Sequence, residues 1–79
     1  MSEFLRSLGT ALRSARRERG LKLRDVAMWS GRRFAPTTVA GYEHGQRSIS
    51  VERFCALADL YGTAPEELLA RALDELDHG

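Results

Sequence analysis

Residues 31–45 read GRRFAPTTVAGYEHG, and their interpretation decides the fold. Gly31 interrupts the preceding helical pattern, and Arg32 and Arg33 follow in a turn. Pro36 suits the first position of a helix, because its fixed φ matches and its missing N–H goes unused there. Gly45 supplies the stop. Between them, Val39 and Tyr42 recur at i and i+3 and point inward. Thr37, Thr38, Ala40 and Gly41 include the outward positions. A short helix with large residues inside and small ones outside can approach another surface closely. Gly41 weakens it in isolation, so packing must hold it.

Working outward, residues 2–19 predict a first helix. Ser2 can cap it, and Phe4, Leu5, Leu8, Leu12 and Ala15 form its inner stripe. Gly9 inside that helix costs ~1 kcal/mol against alanine, which marks a close helix contact. Gly20 ends the helix. A second helix spans about 23–30, with Leu23, Val26, Ala27 and Ser30 inward. Trp29, at its end, is expected to pack under Phe34 and brace the turn. A third helix spans about 36–44. Ser50 caps a fourth, whose face is Val51, Phe54, Cys55, Leu57, Ala58 and Tyr61. Cys55 is therefore expected as a core thiol. Thr63 and Glu66 have capping-box spacing ahead of a last helix carrying Leu68, Leu69, Ala72, Leu73 and Leu76. His78 is expected at a frayed end. The fold class is all-α, a compact five-helix bundle around one core.

The 79 residues suffice for one small domain. No apolar run is long enough to span a bilayer, and no signal-peptide pattern opens the chain. A single cysteine excludes an internal disulfide and has no zinc-ligand partners. No nucleophile–base pair or phosphate-cradling glycine loop is evident, so neither an enzyme nor a cofactor or metal is expected. A cytoplasmic location is the expectation. The net charge of +1 conceals a split: residues 1–47 balance at +6 and residues 48–79 at −5. A basic half suits a polyanion; alternatively, the charges simply solvate helix faces.

Two short helices across a glycine-bearing turn, packed by further helices, form a helix-turn-helix arrangement. The chain resembles the phage-repressor/Cro-like (XRE) helix-turn-helix family. The resemblance rests on Leu12, Arg13, Arg16, Gly20-Leu21, Val26-Ala27, Val39, Tyr42-Glu43, Gly45, Phe54, Leu57-Ala58, Tyr61-Gly62 and Glu67-Leu68-Leu69. Within it, the string VAGYEHGQRSISVERFCALADLYG and the long turn are most similar to the BldD-type developmental regulators of actinomycetes. The resemblance implies a DNA-binding domain over residues 1–70, with residues 71–79 as helix end and acidic tail, a linker or dimer element. It implies a transcriptional regulator of pseudo-palindromic operators, repressing rather than activating. The implied partners are double-stranded DNA and a second copy of the chain, met through the last helix or through a C-terminal region beyond it.

The resemblance places the third helix in the major groove. Arg32, Arg33, Pro36, Thr37, Ala40, Gly41 and His44 are then the candidates for base or groove contact. Arg24, Thr38, Gln46, Arg47 and Ser48 are the candidates for phosphate, Gln46 and Ser48 through their backbone amides. Arg16 and Glu43 match a buried structural ion pair. Phage repressors place glutamines where this chain has Leu23, Pro36, Thr37 and Gly41, so amide readout of adenine is missing. Thr37 and Ala40 suit a thymine methyl. Arg32 and Arg33 either read guanine or clamp phosphate. The rival class is a protein-interaction or antitoxin-like module on the same fold, with the acidic half as the binding side.

Overall fold

The computed structural model describes residues 2–78, His78 by its backbone alone; the expectation for the His78 side chain lies outside the described residues. Five helices follow in order: α1 (Glu3–Glu18), α2 (Leu23–Trp29), α3 (Pro36–Glu43), α4 (Val51–Leu60) and α5 (Pro65–His78). The all-α expectation is borne out. α1 is the spine: it packs most extensively on α5 and also supports α3 and α4, while α2 packs on α3.

Local chemistry sets the boundaries. The Ser2 hydroxyl accepts from the Leu5 N–H, and the Ser50 hydroxyl from the Arg53 N–H, so α1 and α4 start at capped residues. The Asp25 carboxylate accepts from the Lys22 N–H at 2.7 Å and fixes the start of α2. α5 corrects the sequence reading. Pro65 occupies its first position, so Ala64 stands at the cap, its carbonyl accepting from Glu67 and Leu68. Thr63 falls one residue too early, and its hydroxyl donates to the Tyr61 carbonyl instead.

The core joins Leu8, Leu12 and Ala15 of α1 to Val26, Phe34, Val39, Tyr42, Leu57, Ala58, Leu68 and Ala72. Ala72 is fully buried, so packing continues past residue 70. Phe34 is the largest of the fully buried side chains, although it lies in a turn. Trp29 does not cover it: the indole is 60% exposed. Ser30 braces the turn instead, its hydroxyl donating to the Ala27 carbonyl and accepting from the Phe34 N–H. Cys55 is exposed rather than a core thiol. It lines an apolar groove of about 470 Å³ with Phe4, Ile49, Val51 and Leu69. Helical periodicity correctly gives the α4 row Phe54, Leu57, Ala58 and Tyr61, but Val51 and Cys55 lie where no helix covers that face.

Tyr61 carries a buried hydroxyl with no hydrogen-bond partner among the described residues. Burial raises its pKa above the ordinary phenol value; Glu43 adds to the shift and Arg16 opposes it. The folded state therefore holds this proton more tightly than the unfolded chain does. Stability from this group is complete below about pH 10, the unfolded phenol value, and is lost as pH rises above it. Tyr61→Phe should be neutral or stabilising by up to about 1 kcal/mol at pH 7, because it removes an unsatisfied polar group. Urea unfolding at pH 7 and above pH 10 checks this: the variant should lose less stability between the two.

Candidate nucleic-acid interface

α3 packs on α1 and α2 and leaves one stripe open. Val39, Tyr42 and Glu43 are buried, whereas Thr37 and His44 are exposed and Ala40 is half-buried. Positions 37, 40 and 44 follow one another at helical spacing, so they share the outward stripe. Pro36 is exposed at the first helical position.

The anchoring is a buried, two-pronged ion pair. Arg16 Nε donates to Glu43 Oε2 at 2.7 Å and Nη2 to Oε1 at 2.9 Å, while Nη1 donates to the Leu21 carbonyl at 2.8 Å. One guanidinium thus ties α1 to the end of α3 and to the entry of α2. The hydrogen bond to Glu43 raises the Arg16 pKa, against the opposing effect of burial. Steric closeness completes the joint. A Cβ at Gly9 would overlap the Tyr42 and Glu43 carbonyls. One at Gly45, whose φ is +70°, would come within 2.8 Å of the Arg6 Cα. The end of α3 therefore rests directly on the α1 backbone.

The α2–α3 turn has a costly geometry. Gly31 and Arg32 both adopt positive φ, 65° and 67°. For arginine this left-handed conformation costs about 1–2 kcal/mol. Arg32 N–H donates to the Ala27 carbonyl at 2.8 Å, so hydrogen bonding of the turn holds it there. The Arg32 side chain is exposed. Arg33 lies across from α4: its Nη2 is 3.3 Å from Glu52 Oε1, and its guanidinium carbon is 5.5 Å from the Phe34 ring centre. Arg53 lies equally far from that ring and donates to the Tyr42 hydroxyl at 3.3 Å.

The other candidates divide. Arg24 and Ser48 are exposed. Arg47, also exposed, crosses back over α3: its Nη1 donates to Thr38 Oγ1 at 3.4 Å, and its Cδ would lie 2.8 Å from a Cβ at Gly41. Gly41 is consequently buried rather than outward, because its missing side chain is the channel for Arg47. The Gln46 N–H donates to the Gly41 carbonyl at 2.9 Å, so this amide completes the end of α3 instead of facing phosphate. Sequence reasoning missed Glu52 and Arg53. Locally, residues 50–54 show only a helix cap and an apolar stripe, and nothing links residue 33 to residue 52.

The arrangement of α2, turn and braced α3 defines the class as helix-turn-helix. A sequence profile described as a helix-turn-helix domain matches residues 7–72. The chain belongs to this family, in its phage-repressor-like branch. Among solved structures, the S. venezulae BldD DNA-binding domain is 40% identical, with a TM-score of 0.79 over 85% of this chain and 97% of that one. A second structure of the BldD DNA-binding domain gives 40% identity and a TM-score of 0.80, covering 86% and 96%. The clp gene regulator ClgR from C. glutamicum is 30% identical, with a TM-score of 0.83, covering 90% and 88%. No curated protein sequence matches the chain.

Proposed function

We propose that this chain binds double-stranded DNA as a sequence-specific transcriptional regulator, with α3 in the major groove. The observation that carries this is the anchoring of α3 with one stripe left open. Its inner side is locked to α1 by the Arg16–Glu43 pair and by backbone contact at Gly9. Its outer side presents Thr37, Ala40 and His44 between the arginines of the turn and Arg47. The basic balance of residues 1–47 supplies attraction to phosphate. Similarity to structures titled as DNA-binding domains supports the same reading.

In this reading Arg32 and Arg33 contact base edges or phosphates, Thr37 and Ala40 meet thymine methyls, and Arg24, Arg47, Thr38 and Ser48 position the backbone. The strained Arg32 fits a residue kept for its side chain where glycine would be easier. The protein acts as a homodimer on pseudo-palindromic sites, as a repressor in the bacterial cytoplasm. Leu69 and Leu73 on α5, 39% and 48% exposed, offer an apolar face for that pairing. Selection of bound genomic fragments tests the proposal. It should recover two half-sites about one helical turn, ~34 Å, apart; recovery of no enriched sequence would sink it.

Arg33→Ala should weaken binding to the selected site by about 1–3 kcal/mol and relax preference at one base position if Arg33 reads guanine. Gel-shift titration against single-base variants of the site checks this. Uniform weakening across all variants would make Arg33 a phosphate clamp.

A further inference from the structure

We infer that Glu52 is a specificity-determining positioning residue, which keeps Arg33 off the phosphates and presents it to a base. The inference rests on the DNA-binding reading above. Arg33 is the arginine of the turn whose guanidinium is placed by contacts from another element. Glu52, in the first turn of α4, accepts from its Nη2 at 3.3 Å. The Phe34 ring lies 5.5 Å from its guanidinium carbon and is itself immobilised in the core, 1% exposed. Ring and carboxylate bias the position of the guanidinium, an exposed pair of this kind being worth at most about 1 kcal/mol.

The chemistry of that contact is selective. A guanidinium offers five N–H donors, and one contact to Glu52 leaves the remainder to bond elsewhere. A base edge such as guanine O6/N7 accepts two of them and carries no net charge. A phosphate accepts as well but brings a negative charge beside the Glu52 carboxylate, which repels it. With Glu52 in place, Arg33 therefore favours a neutral acceptor over an anionic one. The side chains remain open to solvent, 46% exposed for Arg33 and 85% for Glu52, so DNA can reach the pair. Arg32 and Arg47 have no such carboxylate at salt-bridge distance among the described residues and suit phosphate.

The test is Glu52→Gln, which keeps the shape and removes the charge. Wild type and variant are titrated over a range of salt with two probes: random duplex, and a duplex recovered by selecting the wild type against a randomised pool. The variant should bind random duplex about fivefold more tightly at low salt. Its log–log salt slope on that probe should steepen by about one, as Arg33 gains a phosphate. The ratio of selected to random affinity should fall by a similar factor. In an Arg33→Ala background the same change should leave slope and ratio unaltered. An unchanged slope, an unchanged ratio, or an equal effect without Arg33 overturns the inference. Circular dichroism establishes that both variants fold. Failure of the wild type to bind either duplex at about 50 mM salt would instead reject the DNA-binding reading, and the Glu52 role with it.

Discussion

Glu43→Ala should destabilise the fold by about 3–5 kcal/mol, because it leaves the Arg16 guanidinium buried without its counter-charge. Chains of this length have about 4–12 kcal/mol of total stability, so this one change removes a large share. The loss comes from the orphaned charge more than from the lost attraction. Arg16 keeps its bond to the Leu21 carbonyl, but two of its donors lose their acceptors. The double variant Arg16→Met with Glu43→Leu should therefore be more stable than Glu43→Ala alone, since apolar replacement of both partners is often neutral. Urea denaturation of the single and double variants measures the difference. If the double variant is the less stable, the pair is worth more than its desolvation and this account of it is wrong. DNA affinity should still fall in the double variant, because Arg16 also sets the angle of α3 against α1 and the entry of α2.

Gly9→Ala should cost about 2 kcal/mol, even though alanine is the better helix former by ~1 kcal/mol. The new methyl would meet the carbonyls of Tyr42 and Glu43, which are backbone atoms and cannot rotate away. α1 and the end of α3 must separate, stretching the Arg16–Glu43 bonds with them. Gly20→Ala makes an instructive comparison. Gly20 has φ +75° but no atom within 4 Å of an added Cβ, so its cost is conformational only, about 1 kcal/mol. Thermal melts should rank Gly9→Ala below Gly20→Ala. Further, Gly9→Ala should lose DNA affinity at temperatures where it remains folded, because α3 has moved; Gly20→Ala should not. Equal affinity losses in the two would show that α3 is not held at Gly9.

The joint at Gly9 was legible from sequence because a glycine inside a helix needs a reason. The five helices were legible from period and caps, and the family from the order of Leu12, Arg16, Gly20, Tyr42-Glu43 and Phe54. Depth of burial was not. Periodicity identifies which side chains share a face, but only the neighbouring elements determine how far along the helix that face is covered. That is why Val51 and Cys55 emerge at an open groove while Ala58 on the same helix is fully buried. The turn failed similarly. Trp29 and Phe34 are both large and aromatic, and which of them enters the core depends on the left-handed pair at Gly31 and Arg32. The spacing of Gly41 points it outward; the returning Arg47 covers it, and that path is not encoded locally. The Arg33–Glu52 contact joins residues 19 apart in the chain and has no local signal at all.

The anchored α3 and its flanking arginines, as a DNA-binding surface, should attract any duplex through its phosphates. The most direct measurement of this is the affinity of the purified protein for random-sequence duplex as a function of salt. Binding is expected at about 50 mM salt and should weaken steeply, with a log–log slope of roughly −3 to −5 from the exposed arginines around α3. Absence of binding at that salt would contradict the DNA-binding role, and would direct attention to a protein partner instead.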